Sequence, residues 1–347
     1  MKTIGIDCRF AGGKSGLGRY TRSIVTELVK RGDPIRYILF VRSPREEWLQ
    51  HLVLSDRCML QVADIAHYSF AEQSRFPRMI AQSGIDMLFS PHFNVPIRCP
   101  VPFVVTIHDL ILHRYPGASF LRQCAYRFQM QHSILNAKAI CAVSSFTALE
   151  IGGAYGSAAF AKCNVTGEGV DAAFTPLSSA SIQRVLEKYE LHQPFFLYVG
   201  SDKPHKNVAK LIQAFRSHEL SAKRLVLVVP PQQRATPLPE GIIHLSDVND
   251  ADLPALYSAA ECFVTASLYE GYGLPVAEAL SCGCPVIAGN HSAIPEAAGG
   301  AALLIGSSPT ELSAALQSPP SRPVSYTRPL WSAAAARTAY VLQKALG

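Results

Sequence analysis

Short apolar runs alternate along the chain with longer stretches in which apolar positions recur every three or four residues. The runs have the length of buried parallel strands, and the stretches that follow them have helical spacing. This alternation predicts an α/β fold with parallel sheets covered by helices. The runs predicted as strands are residues 3–7, 37–41, 87–89, 103–107, 139–143, 195–199, 225–229, 242–248, 262–266 and 303–305, and a further strand is predicted to begin at Pro285.

The length of the chain, 347 residues, is sufficient for two domains of ordinary size. A first domain is predicted over residues 1–171 and a second over residues 195–328. The segment 172–194 contains a proline, a serine-rich patch and a polar helical stretch, so it is predicted to connect the two domains. A last, alanine-rich helix is predicted within residues 329–347.

Composition narrows the functional class. The chain is 48% hydrophobic and 17% charged, as in a globular α/β protein. It has no apolar run of roughly 18 residues and no signal-peptide pattern, which predicts a cytoplasmic protein. Its nine cysteines lack zinc-ligand spacing, so no metal is expected. The net charge of +6 suits nucleotides or an acidic membrane surface, but it is too diffuse to predict nucleic-acid binding.

A glycine-containing turn that leads into a helix is predicted in the second half of the chain. Residues 270–279, EGYGLPVAEA, follow the apolar run 262–266. Pro275 suits the first turn of a helix, where its missing N–H costs nothing. We expect this helix to end near Ser281, because Gly283 favours termination.

The start of this helix is a predicted anion site. The backbone N–H groups of Tyr272, Gly273 and Leu274, together with the positive end of the helix dipole, would bind a phosphate. Glu270 and Glu278 flank these amides, where a carboxylate could accept hydrogen bonds from sugar hydroxyls. The alternative is that both glutamates only complement the helix dipole.

These residues resemble the nucleotide-sugar motif of glycosyltransferase family 4, in which two glutamates separated by seven residues enclose a Gly-aromatic-Gly-Leu-Pro turn. The similarity continues through residues 282–288 and 294–299. The resemblance implies retaining enzymes of the GT-B fold, with two Rossmann-like, doubly wound domains facing across a cleft. The N-terminal domain would bind the acceptor and the C-terminal domain the nucleotide sugar, and the last helix would pack back on the N-terminal domain.

Lys206 stands at the start of another predicted helix, where a cation is unfavourable unless an anion binds there. The resemblance implies that Lys206 grips the donor diphosphate. The chain departs from the family pattern where His205 replaces the usual arginine and where Ser201 replaces a second phosphate-binding arginine of some members. Lys203 could substitute as a point charge, or it could be a solvated lysine.

The predicted first strand leads into a glycine-rich loop, residues 12–18, and then a helix, which is a phosphate-binding shape. Cys8 excludes a P-loop, and Thr21 excludes the dinucleotide fingerprint. The resemblance implies that this loop, with Gly16, faces the donor phosphates and the acceptor. A plain tight turn is the alternative.

His108 directly follows the predicted strand 103–107, at the strand end where open α/β sheets bind ligands. The resemblance implies that it contacts the transferred sugar near the reacting carbon. Residues 167–171 resemble the family's Asn-Gly-Val-Asp element, with Glu168 in place of the asparagine. The backbone near Val248 resembles the loop that contacts the nucleotide base. The Asp-Ala-Asp sequence at 250–252 has metal-motif spacing, but helix capping explains it better.

The resulting prediction is a retaining, metal-independent hexosyltransferase without a cofactor, whose catalytic residues are His108, Glu270 and Lys206. The motifs Gly-Leu-Gly-Arg-Tyr, His-Asp-Leu and Pro-His-Lys-Asn most resemble those of bacterial mannosyl- or rhamnosyltransferases of surface-polysaccharide assembly. This resemblance implies GDP-mannose or a GDP-deoxymannose as donor and a lipid-linked glycan as acceptor. Such an acceptor implies a peripheral contact with the inner face of the cell membrane. The alternatives are a nucleotide-sugar epimerase on the same fold and a non-catalytic nucleotide-sugar binding protein.

Overall fold

The computed structural model describes residues 1–13, 15–115, 119–192, 194–216, 223–230, 238–306 and 308–347, so Lys14 of the glycine loop lies outside the described residues. The chain forms two compact units. Unit 1 comprises Met1–Gly169 and Leu330–Gly347, and unit 2 comprises Val170–Pro329. Unit 1 is therefore built from two separate parts of the sequence.

Unit 1 contains a parallel sheet with the strand order β3-β2-β1-β4-β5-β6-β7. Its strands are β1 (Lys2–Asp7), β2 (Ile35–Val41), β3 (Cys58–Val62), β4 (Met87–Ser90), β5 (Phe103–Ile107), β6 (Ala139–Ala142) and β7 (Cys163–Val165). Its helices are α1 (Gly16–Lys30), α2 (Phe70–Ser74), α3 (Phe76–Gln82), α4 (Ile111–Arg114), α5 (Phe120–Asn136), α6 (Ser145–Tyr155), α7 (Ser157–Phe160) and α14 (Trp331–Leu346), with a 3-10 turn at Glu47–His51.

Unit 2 contains a second parallel sheet, with the order β10-β9-β8-β11-β12-β13. Its strands are β8 (Phe195–Val199), β9 (Arg224–Val228), β10 (Ile242–Leu245), β11 (Cys262–Val264), β12 (Val286–Gly289) and β13 (Leu303–Ile305). Its helices are α8 (Ser179–Lys188), α9 (Val208–Arg216), α10 (Leu253–Ala259), α11 (Leu274–Ser281), α12 (Ile294–Ala298) and α13 (Pro309–Gln317), with 3-10 turns at Pro204–Lys206 and Asp250–Asp252.

Each sheet is doubly wound, as the alternation of apolar runs predicts. In unit 1 the strand order reverses between β1 and β4, and in unit 2 it reverses between β8 and β11. The apolar strands are buried on both faces: β8 packs Phe195 and Leu197 into one core cluster, and Phe196 and Tyr198 into the cluster on the opposite face. Burial of this kind is the main favourable term in folding, at about 25 cal/mol per Å².

The structure assigns the predicted connecting segment and the last helix to one unit each. The predicted connection, residues 172–194, contains α8, which lies in unit 2 and packs against α10. The last helix, α14, lies in unit 1, where it packs against α1 and β6. Within the described ranges, no helix combines the length and the apolar content needed to cross a membrane.

Candidate functional site

The carboxyl ends of the two central strands of unit 2 carry the first group of candidate residues. Ligands of open α/β sheets bind where the strand order reverses, because the loops on either side of that point diverge. The loop after β8 carries Lys206, and the loop after β11 carries Glu270. The sheet thereby places two predicted site residues, far apart in sequence, on neighbouring loops.

Lys206 and Glu270 form an ion pair. The Lys206 Nζ lies 2.6 Å from Oε1 and 2.7 Å from Oε2 of Glu270. The side chains are 19% and 15% exposed, so solvent screens this pair less than a surface pair. The ammonium group of Lys206 is therefore already paired with the carboxylate of Glu270. A ligand that binds either group must compete with this ion pair.

His205 connects the same two loops through its backbone. Its carbonyl oxygen accepts a hydrogen bond from the Leu268 N–H at 2.7 Å and from the Ser267 hydroxyl at 3.4 Å. Burial, followed by the nearby charge of Lys206, lowers the pKa of His205 to about 4. His205 is therefore neutral at physiological pH and does not replace the charge of the arginine that the family pattern places there.

The turn after Glu270 has the predicted form. Helix α11 runs from Leu274 to Ser281, with Pro275 in its first turn, which confirms the helix predicted from the sequence. Gly273 caps the helix with φ +101°, a conformation that side chains with a Cβ rarely adopt. Among the described residues, no hydrogen bond joins the N–H groups of Gly273 and Leu274 to another backbone group, as an anion site at a helix start requires.

Glu278 lies one turn into α11 and is directed inward. The residue is only 4% exposed, and its Oε2 accepts a hydrogen bond from the Tyr257 hydroxyl at 3.2 Å. Burial and the Glu278 charge raise the pKa of Tyr257 well above its usual value, so the hydroxyl keeps its proton. Glu270 and Glu278 thus differ in environment, although the motif presents them as a symmetric pair.

The remaining predicted residues of unit 2 lie at the surface or at the rim of the core. Lys203 is exposed and precedes the 3-10 turn Pro204–Lys206. Val248 and Tyr272 are partly buried and pack against a core cluster of unit 2. The Asp250–Asp252 turn is capped by the side chain of Asn249, and Asp252 accepts hydrogen bonds from Lys188 and Tyr189. The described residues contain no group of three or more His, Cys, Asp or Glu placed to hold a metal ion.

Gly16 opens α1 in unit 1 and is exposed, with open space where a side chain would stand. The hydroxyl of Ser15 caps the helix by accepting from the Gly18 N–H. Gly18 faces the Gly13 carbonyl so closely that a Cβ could not be accommodated without a shift of the backbone. Close approach explains the glycine at position 18, whereas Gly16 has room for a substituent.

His108 follows β5, next to the reversal point of unit 1, and is fixed at both ring nitrogens. Its Nδ1 lies 3.1 Å from Oε1 of Glu168, and its Nε2 lies 2.9 Å from the carbonyl oxygen of Pro91. The Tyr20 ring meets the imidazole edge-on at a centroid distance of 4.5 Å. The partner carboxylate is visible in the sequence only as a departure from the family element at position 168.

A buried charge network, which the sequence patterns did not reveal, lies close to the same strand ends. Arg9 follows β1 and contacts the carboxylates of Asp7 and Glu72 at 2.7 and 2.8 Å, with all three side chains almost completely buried. Glu72 also accepts from Asn94 Nδ2 at 2.8 Å and lies 3.2 Å from His67 Nδ1. These contacts bring together loops that follow β1, β3 and β4, so they shape that edge of the sheet.

Two family models match the chain. Residues 14–174 match the model described as Glycosyltransferase Family 4, and residues 182–318 match the model described as Glycosyl transferases group 1. Among curated proteins, the O-antigen chain mannosyltransferase B of Escherichia coli is 34% identical over 230 residues. That match spans 62% of this chain and 59% of the relative, so the chain covers less than two thirds of the length of that relative.

Solved structures share the fold across the chain. Sucrose-phosphate synthase from Thermosynechococcus elongatus has a TM-score of 0.68 at 19% identity, and the alignment covers 99% of this chain and 97% of that one. HepE from Anabaena, solved in complex with UDP and glucose, has a TM-score of 0.68 at 17% identity, with coverage of 99% and 95%. The two doubly wound units are those of the GT-B fold. The first half of the chain thus matches the Glycosyltransferase Family 4 model and the second half matches the Glycosyl transferases group 1 model, so the chain is built from two glycosyltransferase modules.

Proposed function

We propose that this protein transfers a hexose from a nucleoside-diphosphate sugar to a hydroxyl group of a glycan acceptor, with retention of the anomeric configuration and without a metal ion. The observation that carries the proposal is the ion pair of Lys206 and Glu270 beside the start of α11. A cation and helix-start amides suit a diphosphate, and a carboxylate at the same place suits sugar hydroxyls. One site can therefore recognise both parts of a nucleotide sugar.

The chemistry follows from an exchange of partners. A donor diphosphate would take Lys206 from Glu270, and the carboxylate would then accept hydrogen bonds from hydroxyls of the transferred sugar. During the reaction, Lys206 and the amides of Gly273 and Leu274 would stabilise the negative charge that develops on the leaving diphosphate. A phosphate oxygen would take the proton of the acceptor hydroxyl, so the reaction requires no protein nucleophile. Tyr272, Val248 and Lys203 would line the nucleotide site of unit 2. Gly16 and His108 of unit 1 remain predicted site residues.

We propose GDP-mannose as the donor and a lipid-linked glycan of surface-polysaccharide synthesis as the acceptor. Similarity to an O-antigen mannosyltransferase over 230 residues supports this choice of sugar and pathway class. Lys206 and Lys203 are the cations of the β8–α9 loop, since His205 is neutral. The diphosphate would therefore be held by point charges and amides rather than by a bidentate guanidinium.

An exposed apolar surface supports a peripheral contact with the inner face of the cell membrane. Phe120, Leu121 and Phe128 project from α5 and are 75%, 79% and 57% exposed. Arg122 and Arg127 of the same helix are also exposed. Apolar side chains flanked by arginines suit an anionic bilayer surface, where a lipid-linked acceptor would be presented.

A donor panel tests the proposed reaction. The purified chain would be incubated with GDP-mannose, other GDP-sugars and UDP-sugars, with and without a bacterial membrane extract, and release of the nucleoside diphosphate would be measured. We expect GDP release from GDP-mannose that depends on the extract and persists in EDTA, with an α-linked product by NMR. Release of an epimer or free sugar without acceptor, or binding without turnover in every mixture, would contradict the proposal.

Glu278 is proposed to hold the ribose of the donor despite its inward direction. We expect Glu278→Gln to weaken binding of the nucleoside diphosphate by roughly 10-fold to 100-fold, the value of a hydrogen bond to a charged group. Isothermal titration calorimetry would measure the Kd. Tyr257→Phe is the matched control, because it removes only the internal hydrogen bond of the same carboxylate. Equal affinities of Glu278→Gln and the wild type would leave Glu278 as a structural partner of Tyr257.

A further inference from the structure

Both ring nitrogens of His108 face oxygen atoms that accept hydrogen bonds. Nε2 lies 2.9 Å from the carbonyl oxygen of Pro91, and a carbonyl oxygen cannot donate, so Nε2 must carry a hydrogen. Nδ1 lies 3.1 Å from a carboxylate oxygen of Glu168. An ionised carboxylate cannot donate either, so Nδ1 must also carry a hydrogen. An imidazole with hydrogens on both nitrogens is a cation.

The pair of His108 and Glu168 shares one proton, and that proton belongs on the ring. A carboxylic acid is ordinarily a stronger acid than an imidazolium by roughly two pKa units. Burial by itself would lower the pKa of His108, but the hydrogen bond and charge of Glu168, with smaller contributions from the Pro91 carbonyl and Asp109, raise it above the ordinary value. The hydrogen-bond contacts and the surrounding charges therefore both favour an imidazolium at His108.

The position of Glu168 is fixed by the elements around it. Gly167 has φ +73°, and a Cβ there would lie 2.8 Å from a guanidinium nitrogen of Arg337. Gly169 contacts the backbone of Trp331 so closely that any side chain would collide with it. Arg337 also donates from Nε to the carbonyl oxygen of Thr166 at 2.7 Å. Helix α14 thus holds the loop that presents the carboxylate to His108.

The other groups around the ring do not supply a competing charge. Tyr20 of α1 meets the ring edge-on, and burial raises its pKa far above the ordinary value, so it stays neutral. His92, after β4, lies at a centroid distance of 6.4 Å. Burial, with the charges of His108 and His67, lowers the pKa of His92 well below the ordinary value, so it is also neutral. Asp109 adds a second negative charge on the same segment as His108.

We infer that Glu168 is a positioning residue that keeps His108 as an imidazolium, so that His108 serves as a hydrogen-bond donor and not as the base of the reaction. The catalytic meaning of this inference rests on the proposed function, whereas the charge state does not. An asparagine at position 168, as in the family element that the sequence resembles, could accept from Nδ1 without adding charge. In this chain the residue at position 168 is a carboxylate, so the contact with the imidazolium is an ion pair.

The pH dependence of activity tests the role of the charge. Because the pKa of His108 is raised, the imidazolium is present below that pKa and is lost above it, so kcat/KM should fall on the alkaline side. Glu168→Gln and Glu168→Asn should move this alkaline limb to lower pH by one to three units, the effect of removing an opposite charge at contact distance. Glu27→Gln, which removes a surface carboxylate paired with Lys30, should leave the limb in place.

A base would produce the opposite profile. If His108 acted as a base, activity would rise with pH through its pKa, and the Glu168 variants would be more active at low pH than the wild type. Either that profile or an alkaline limb unmoved by Glu168→Gln would overturn the inference.

Ring-nitrogen NMR tests the charge state without a substrate. Long-range ¹H–¹⁵N spectra of the full chain at pH 7.5, assigned with His108→Gln, should show two protonated nitrogens for His108 in the wild type. The Glu168→Gln spectrum at the same pH should show one protonated and one unprotonated nitrogen. A neutral ring in the wild type would overturn the inference. A protein inactive with every nucleotide sugar but with a doubly protonated His108 would contradict only the proposed function.

Discussion

Replacing Lys206 by alanine is expected to lower kcat/KM with the sugar donor by about 100-fold or more, because a strong preorganised donor to the leaving group contributes on the order of 3–4 kcal/mol to the transition state. The substitution also frees Glu270 from its ion pair, so the carboxylate would repel the donor diphosphate. Both effects act in the same direction. Steady-state kinetics with purified donor, at fixed acceptor concentration, would measure the loss.

Lys223→Ala is the matched control for the loss of an ion pair as such. Lys223 Nζ lies 2.6 Å from Oε1 of Glu261, and the two side chains are 23% and 26% exposed, which is similar to the pair of Lys206 and Glu270. The control should retain the activity of the wild type. Full activity in Lys206→Ala, or an equal loss in both variants, would remove Lys206 from the site.

Replacing Glu72 by alanine is expected to destabilise the protein by about 3–5 kcal/mol, because it breaks a buried ion pair and removes the carboxylate that several buried groups contact. Arg9, Asn94, His67 and the Tyr68 N–H all contact this carboxylate. Asp64→Ala is the matched control, since its pair with Arg42 is exposed and should contribute at most about 1 kcal/mol. Urea unfolding would measure both changes, and equal changes would show that the buried network contributes no more than a surface pair.

The same carboxylate predicts an acid-sensitive stability. Burial by itself would raise the pKa of Glu72, but hydrogen bonds from His67 and Asn94 and the charge of Arg9 lower it to about 2 from its ordinary 4.5. Its contribution is therefore complete above pH 4.5 and is lost as the pH falls toward 2. In Glu72→Gln, the free energy of unfolding should therefore depend less on pH between pH 4.5 and about 2 than it does in the wild type.

The strand pattern predicted most of both sheets because buried parallel strands consist of apolar runs. The two edge strands of unit 1, β3 and β7, were not predicted, because they are not uniformly apolar and buried. In β3 the side chains of Met59 and Val62 are exposed, and β7 has three residues, none of them buried. An edge strand is covered on fewer sides, so its sequence need not be uniformly apolar. The loops of the candidate site follow central strands, and these strands were predicted.

Individual residues of the candidate site could be proposed from the sequence, but the contacts between them could not. A glycine turn, a helix start and a lysine each have local signatures, so Lys206 and Gly273 could be named from the sequence. The ion pair of Lys206 and Glu270 joins residues 64 positions apart, and the contact of His108 with Glu168 joins residues 60 apart. Such pairs depend on which strands lie side by side, which spacing along the chain does not encode.

Helix α14 has a consequence for the order in which the protein can form. Residues 330–347 complete unit 1, yet the ribosome makes them only after all of unit 2. While unit 2 emerges, the residues of α1 that pack against α14 and the glycines beside Glu168 lack that helix, so newly made unit 1 must wait for a segment encoded more than 150 residues later. Unit 2, which is continuous in sequence, can finish folding first, although its first residue follows those of most of unit 1.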